Sequence, residues 1–346
     1  MSSCVNERNG AFKVKKRGVC IGGYAGCGNL GDDAILQGYL EGLSPHQRRQ
    51  ETVVLSGDPK RDEKRFGVRC VGRKNPVSVL RSFLRAELFL CGGGSLLQNG
   101  TGNLSLCYYL GLLWLARLCG CRTELLASGI GPLRGRLAIR FTVWTLKKCD
   151  RLELRDEKSA ELLTEWGIPS EKIRIREDPA LMLKPPPLTR LLFLKKEWGI
   201  SEGQAYFCVV VRREHTKKCA CLKKITAALR LFSRQQGMIP VFMVFDVKED
   251  QRITQEVCRD AEGMVVRLRE ASDALSVLSG SRFLISMRLH ALVFSAAVGI
   301  PAVGISPSDE EPKLSSFCSS RRMPHFTPAE LTVAKLLDEM EKLQGE

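Results

Sequence analysis

Asp32 and Asp33 stand side by side at the end of a glycine-rich turn, residues 22–31, that follows the apolar run Gly18-Val19-Cys20-Ile21. Adjacent carboxylates after such a turn are suited to accepting a hydroxyl proton or orienting a diol, and equally to capping the helix that follows. A second glycine turn, Gly92-Gly93-Gly94-Ser95, precedes Gln98 and Asn99, and a third, Gly129-Ile130-Gly131-Pro132, precedes Arg134, Arg136 and Arg140, with Arg155 further on. Arg288 and His290 form a separate pair at the start of an apolar helical run. A cationic side chain beside a helix N-terminus adds to the positive potential there, so this pair reads as a phosphate or carboxylate site. The chemistry on offer is acid–base work on a small anion and a hydroxylated partner.

Other site readings are weaker. Gly26-Cys27-Gly28-Asn29-Leu30-Gly31 fits the dinucleotide pattern GxGxxG, but it lies late after its strand and is followed by two acids that would repel a pyrophosphate. Cys219 and Cys221 with His215 lack zinc spacing, so no metal is expected.

The elements that must position these residues follow from hydrophobic patterning. Strands are predicted over 18–23, 52–56, 87–91, 123–127 and 151–154, with helices between them over 33–43, 75–85, 104–119 and 137–149. Lys184-Pro185-Pro186-Pro187 interrupts the pattern and marks a domain boundary. Beyond it, strands over 206–211, 239–245, 264–268, 283–286 and 302–305 again alternate with helices. Strand–helix alternation implies parallel sheets covered on both faces. The expected organisation is an α/β chain with a Rossmann-like domain over 1–184, a second over 185–327, and a terminal helix over 328–346 that returns to the first domain. Two such sheets facing a cleft, in the manner of GT-B enzymes, place their strand ends and glycine turns on shared ground.

Composition narrows the partners. A formal charge of +15 favours anions, but only 7% of residues are aromatic and the basic residues are dispersed, which speaks against nucleic acid. Phosphorylated small molecules and peripheral contact with an anionic membrane face remain. No run reaches the 18 or more apolar residues of a membrane span; residues 104–118 read as a buried helix. The basic N-terminal stretch lacks an apolar leader core, and the 14 cysteines show no regular spacing, so a reducing cytoplasmic setting is expected.

The stretches GYAGCGNLGDDAIL, CGGGSLLQN, SGIGPLRGR, ELRDEKSAELL and SMRLHALVFSAAVGIPAVGIS, in this order, resemble the polysaccharide pyruvyl transferase family, most closely its CsaB branch. The resemblance implies transfer of a pyruvyl group from phosphoenolpyruvate to two hydroxyls of a sugar, giving a ketal and phosphate, with no cofactor and no metal. For the CsaB branch it implies an acceptor similar to N-acetylmannosamine in a lipid-linked precursor of a secondary cell-wall polymer that anchors S-layer proteins, handled at the inner face of the membrane. Arg288, Arg134, Arg140, Lys313 and Arg212 are then expected to bind the donor, and His290 to protonate it. Asn29, Gly94, Ser95, Gln98 and Arg155 are expected on the acceptor side, with Asp32 or Asp33 accepting the hydroxyl proton. The family's run after the last strand is interrupted here: residues 306–317 insert three residues and lose a tyrosine, so Lys313 aligns only across that insertion. A nucleotide-sugar glycosyltransferase of the same architecture is the alternative, with Asp309, Glu310 and Glu311 as its candidate acids.

Overall fold

The computed structural model describes residues 18–100, 102–201, 203–213, 221–308 and 312–345. His215 and Cys219, like Asp309 to Glu311, lie outside them.

The first domain runs β1 (Val19–Gly22), α1 (Leu30–Glu41), β2 (Thr52–Ser56), α2 (Pro59–Phe66), β3 (Arg69–Gly72), α3 (Pro76–Arg85), β4 (Leu88–Gly92), α4 (Asn103–Leu118), β5 (Arg122–Ser128), α5 (Arg136–Lys148), β6 (Arg151–Leu154), α6 (Glu157–Glu165) and β7 (Ile173–Ile175). The second runs α7 (Leu188–Trp198), β8 (Tyr206–Val210), α8 (Cys221–Gln236), β9 (Ile239–Met243), α9 (Val247–Asp260), β10 (Met264–Val266), α10 (Ala271–Ser279), β11 (Leu284–Ser286), α11 (Leu289–Val298), β12 (Ala302–Ile305), α12 (Pro312–Ser320), β13 (His325–Phe326) and α13 (Val333–Gly345). The predicted two-sheet α/β architecture is therefore present.

Both sheets are parallel, ordered β3-β2-β1-β4-β5-β6-β7 and β10-β9-β8-β11-β12-β13. In each, the chain starts at a central strand, walks outward, and returns to the other side: β1 pairs with both β2 and β4, and β8 with both β9 and β11. Such switch points open a crevice at the strand C-termini, which is where ligands of open α/β sheets bind. The residues there are the glycine turns after β1 and β4, and the Arg288–His290 stretch after β11.

Helices α3 to α6 cover one face of the first sheet, where Phe83, Tyr109, Leu113, Leu146 and Leu163 meet strand residues Phe89 and Leu125. The opposite face takes Leu36 and Leu40 of α1 and Phe66 of α2. Helix α1 has a second duty. Leu30 and Ala34 belong to the core of the second domain, beside Phe245, Ala291 and Phe294. The Leu30 amide donates to the Phe245 carbonyl (3.0 Å), so the end of the predicted 239–245 strand leaves its sheet to bind α1. Gly38 lets α1 close on a short 3-10 turn, Pro179–Met182: a Cβ there would lie 2.1 Å from the Pro179 carbonyl oxygen. Ala180 and Leu183 pack in the second domain's core, so the chain passes into that core before the proline linker.

One expectation is corrected. The terminal helix α13 does not return to the first domain; Leu336, Met340 and Leu343 pack with Leu229 and Phe232 of α8, and Lys224 donates to the Leu331 carbonyl (2.8 Å). With α8 and α9, α13 lies on the face of the second sheet opposite α10 and α11. Among the described residues, no helix is long and apolar enough to cross a membrane.

Candidate active site

The residue that caps α1 is Asn29, not either aspartate: its Oδ1 accepts from the Gly31 amide (2.9 Å) and the Asp32 amide (3.3 Å). Expected to face sugar hydroxyls, Asn29 has its carboxamide oxygen committed to the helix end. Asp33 is likewise drawn into the scaffold. Its Oδ1 accepts from the Gly26 amide (2.9 Å) and its Oδ2 from Arg65 Nη1 (2.5 Å), the Asp33 and Arg65 side chains both being less than a tenth exposed. A carboxylate so engaged cannot take a substrate proton, so Asp33 leaves the catalytic set on geometric grounds.

Asp32 stays in it. A Cβ at Gly94 would lie 3.0 Å from Asp32 Oδ1 and 4.0 Å from His290 Cε1, so the acid and the imidazole converge over the second glycine turn. His290 is held against α1 at Gly31, where a Cβ would sit 2.1 Å from the imidazole Nδ1. Gly31→Ala is therefore expected to displace the ring while leaving α1 helical, and to lower turnover with little change in far-ultraviolet circular dichroism; unchanged turnover would show that ring position is immaterial.

Three buried polar atoms in this crevice have no hydrogen-bond partner: His290 Nε2, Asp178 Oδ2 and Arg155 Nη1. They face one another, with Nε2 3.6 Å and Nη1 4.0 Å from Asp178 Oδ2. Buried polar atoms are almost always paired, so a set of three that are not is an opening shaped for a polar ligand. Asp178 was not among the residues expected from sequence. It precedes Pro179, its Oδ1 capping the short turn through the Ala180 amide (3.0 Å), and the acid-proline pair is the only local signal it gives.

Two further groups meet at Ser95. Its Oγ accepts from Arg155 Nη2 (3.0 Å) and from Lys313 Nζ (2.5 Å), and Lys313 also donates to the Gly131 carbonyl (2.6 Å). Lys313, reaching from α12 across the crevice, thus shares a partner with Arg155. The turn it touches is fixed from behind, since Ser159 Oγ accepts from the Ile130 amide (2.9 Å).

Arg288 is less available than expected. Its Nε and Nη2 both bind the buried Asp250 Oδ2 at 2.7 and 2.6 Å, in the neighbourhood of Arg212. Gln98 Oε1 accepts from the Gly100 amide (2.7 Å). Arg134 and Arg140 are exposed, and neither side chain bonds to the cluster; the Arg134 backbone is clasped by Asn99, whose carboxamide both accepts from its amide and donates to its carbonyl at 2.8 Å. Among the described residues, no three His, Cys, Asp or Glu side chains form a metal-binding group.

Electrostatics divides the Asp32–His290 pair. Burial pushes the imidazole pKa down to about 4; Asp178 opposes this, and Arg155 and Arg288 add to it. Burial pushes Asp32 up to about 7, helped by Asp33, Asp178 and Asp246 and opposed by Arg155. Burial thus favours an uncharged histidine and a readily protonated aspartate at neutral pH, the reverse of a protonated histidine beside an ionised acid.

No curated protein matches this chain. Among solved structures, it is similar to the UDP-GlcNAc 2-epimerase from Neisseria meningitidis bound to UDP-GlcNAc, with TM-score 0.63 and 11% identity, covering 94% of this chain and 91% of that one. A putative UDP-N-acetylglucosamine 2-epimerase from Listeria monocytogenes aligns with TM-score 0.61 and 10% identity over 95% and 88% of the two chains. Anabaena HepE in complex with UDP-glucose gives TM-score 0.61 and 10% identity over 94% and 88%. At such identities the likeness is one of fold, a GT-B-like pair of domains. The sequence itself matches the profile of the polysaccharide pyruvyl transferases over residues 29–309, which spans most of both domains and includes Asp32, Ser95, Arg155, Asp178 and His290, and the chain belongs to that family.

Proposed function

We propose that the crevice transfers a pyruvyl group from phosphoenolpyruvate to two hydroxyls of a sugar, forming a ketal and releasing phosphate. The acceptor we propose is a sugar similar to N-acetylmannosamine in a lipid-linked cell-wall polymer precursor, met on the cytoplasmic side of the membrane, as the resemblance to the CsaB branch suggests. The observation that carries this reading is the trio of unpartnered atoms, His290 Nε2, Asp178 Oδ2 and Arg155 Nη1, next to Lys313 and the Gly93–Gly94 backbone. Phosphoenolpyruvate bears a phosphate and a carboxylate on one small frame and needs two cationic subsites close together. Arg155 and Lys313 supply them, which moves Arg155 from the acceptor set to the donor set; Arg288, already paired with Asp250, contributes field more than contact.

The chemistry then runs as follows. A donor carrying two anionic groups raises the imidazole pKa, opposing burial, so that His290 binds a proton as the donor binds. His290 delivers that proton to C3 of the enol. The first sugar hydroxyl attacks C2, and Asp32 takes its proton, a carboxyl with a pKa near 7 being well matched to that task. The second hydroxyl attacks C2 as the bond to the phosphate oxygen breaks, its electron pair and the remaining proton leaving with phosphate. Asp178 holds the imidazole in register.

The test is phosphate release from phosphoenolpyruvate in the presence and absence of a lipid-linked or soluble disaccharide acceptor. Acceptor-dependent release is expected. Lys313→Ala is expected to raise the donor KM by about tenfold or more, the loss of one charged hydrogen bond. Release that needs a nucleotide sugar would point instead to glycosyl transfer, a reading whose candidate acids, Asp309 to Glu311, lie outside the described residues.

A further inference from the structure

Helices α3, α4 and α5 lie side by side over one face of the first sheet, and their outer surfaces are apolar where a water-facing surface is ordinarily polar. In α5 the exposed residues Leu137, Phe141 and Trp144 follow the i, i+4, i+7 spacing of a single helical stripe, while the buried side includes Thr142 and Thr145. In α3 the exposed stripe is Val77, Leu80 and Leu84. Helix α4 adds Leu104 and Leu118, 89% and 78% exposed, at its two ends. Trp114 of α4 stacks on Trp144 at 4.2 Å between ring centroids, joining the second and third helices into one surface. These three helices hold half of the large apolar side chains exposed among the described residues. A patch of this extent marks an interaction surface.

Charge identifies the occupant. None of the three helices contains an Asp or Glu, and together they carry seven Lys and Arg residues, including Arg81, Arg85, Lys147 and Lys148 around the apolar stripes. A symmetric self-interface would set these cations against their own copies. An anionic bilayer surface satisfies both features at once: the aromatic and leucine side chains enter the headgroup boundary, and the cations meet the lipid phosphates.

We infer that the α3–α4–α5 face docks the protein on an anionic membrane. The first turns of α4 and α5 lie at the rim of the crevice, where Asn99 bonds both Asn103 (2.9 Å) and the Arg134 backbone, so docking would bring the crevice to the level at which a lipid-linked sugar is presented. That benefit rests on the acceptor proposed above; membrane binding itself does not, and is measured without donor or acceptor.

The experiment is flotation of the full chain with vesicles of phosphatidylcholine alone or with one third phosphatidylglycerol. Binding to the anionic vesicles is expected, weakened by salt, and reduced about tenfold or more by Leu137→Asp with Phe141→Asp and, separately, by Lys147→Glu with Lys148→Glu. None of the four side chains is among the crevice residues described above, so the variants are expected to keep the melting temperature and soluble-acceptor turnover of the parent. Equal binding to neutral vesicles, binding unaffected by either double substitution, or no binding at all would overturn the inference. So would a lipid-free dimer that either double substitution dissolves, because the face would then be a contact between copies.

Discussion

Replacing His290 with glutamine is expected to lower acceptor-dependent phosphate release by roughly 10²–10⁴-fold, the usual contribution of a positioned general acid, and also to tilt the pH dependence of stability. The tilt follows from the direction of the two pKa shifts. The imidazole pKa falls from 6.5 to about 4 on folding, so its contribution is whole above 6.5 and is lost as pH falls towards 4. Asp32 rises from 3.8 to about 7, so its contribution is whole below 3.8 and is lost as pH rises through 7. Between about 4 and 6.5 the two slopes oppose each other, and the parent protein is nearly level with respect to this pair. In His290→Gln only the Asp32 slope survives, and stability falls with rising pH. In Asp32→Asn only the His290 slope survives, and stability rises with pH. Each tilt amounts to roughly 3 kcal/mol or less across the window, readable from urea midpoints at a series of pH values. Parallel slopes in the two variants would contradict the electrostatic division of the crevice. Adding phosphoenolpyruvate should move the imidazole the other way, so donor affinity is expected to strengthen as pH falls towards 6 and to lose that dependence in His290→Gln.

Much of the fold was legible because parallel strands buried on both faces are continuous apolar runs. Val19–Gly22, Thr52–Ser56 and Tyr206–Val210 could hardly be read otherwise. Several of the elements that escaped lie where that signal is weakest. Arg69–Gly72, Ile173–Ile175 and His325–Phe326 are short outer strands carrying arginine or histidine, and Pro59–Phe66 is a helix with a single large apolar residue. A terminal helix is expected from sequence, but its apolar stripe, Leu336, Met340 and Leu343, does not say which sheet it covers. The site divides in the same manner. The glycines before Asp32, and an arginine two residues before His290, were visible as chemistry. Asp178 was not, because its role depends on the packing of α1 against a turn more than a hundred residues away, which a local pattern does not encode.

The adjacent pair Asp32 and Asp33 shows the limit most sharply, since sequence treats them alike and the fold separates them completely. Asp33→Asn is expected to cost about 3–5 kcal/mol, because Arg65 would lose its one close ion pair and keep its buried charge with Glu270 Oε2, 3.9 Å from its Nε, and the neighbouring Asp62. The carboxamide oxygen can still accept from the Gly26 amide, so the loss reports the charge and not the turn. Turnover of the folded fraction should stay within about tenfold of the parent, whereas Asp32→Asn should leave neutral-pH stability equal or higher and cut turnover by roughly 10²-fold or more. Replacing Asp33 and Arg65 together with leucine and methionine should recover most of the stability lost in the single variant, since a buried ion pair exchanged for apolar groups of similar volume is often neutral. Urea unfolding of the three proteins, read beside phosphate release at saturating donor, separates the two acids. A collapse of turnover in Asp33→Asn with stability intact would return Asp33 to the catalytic set.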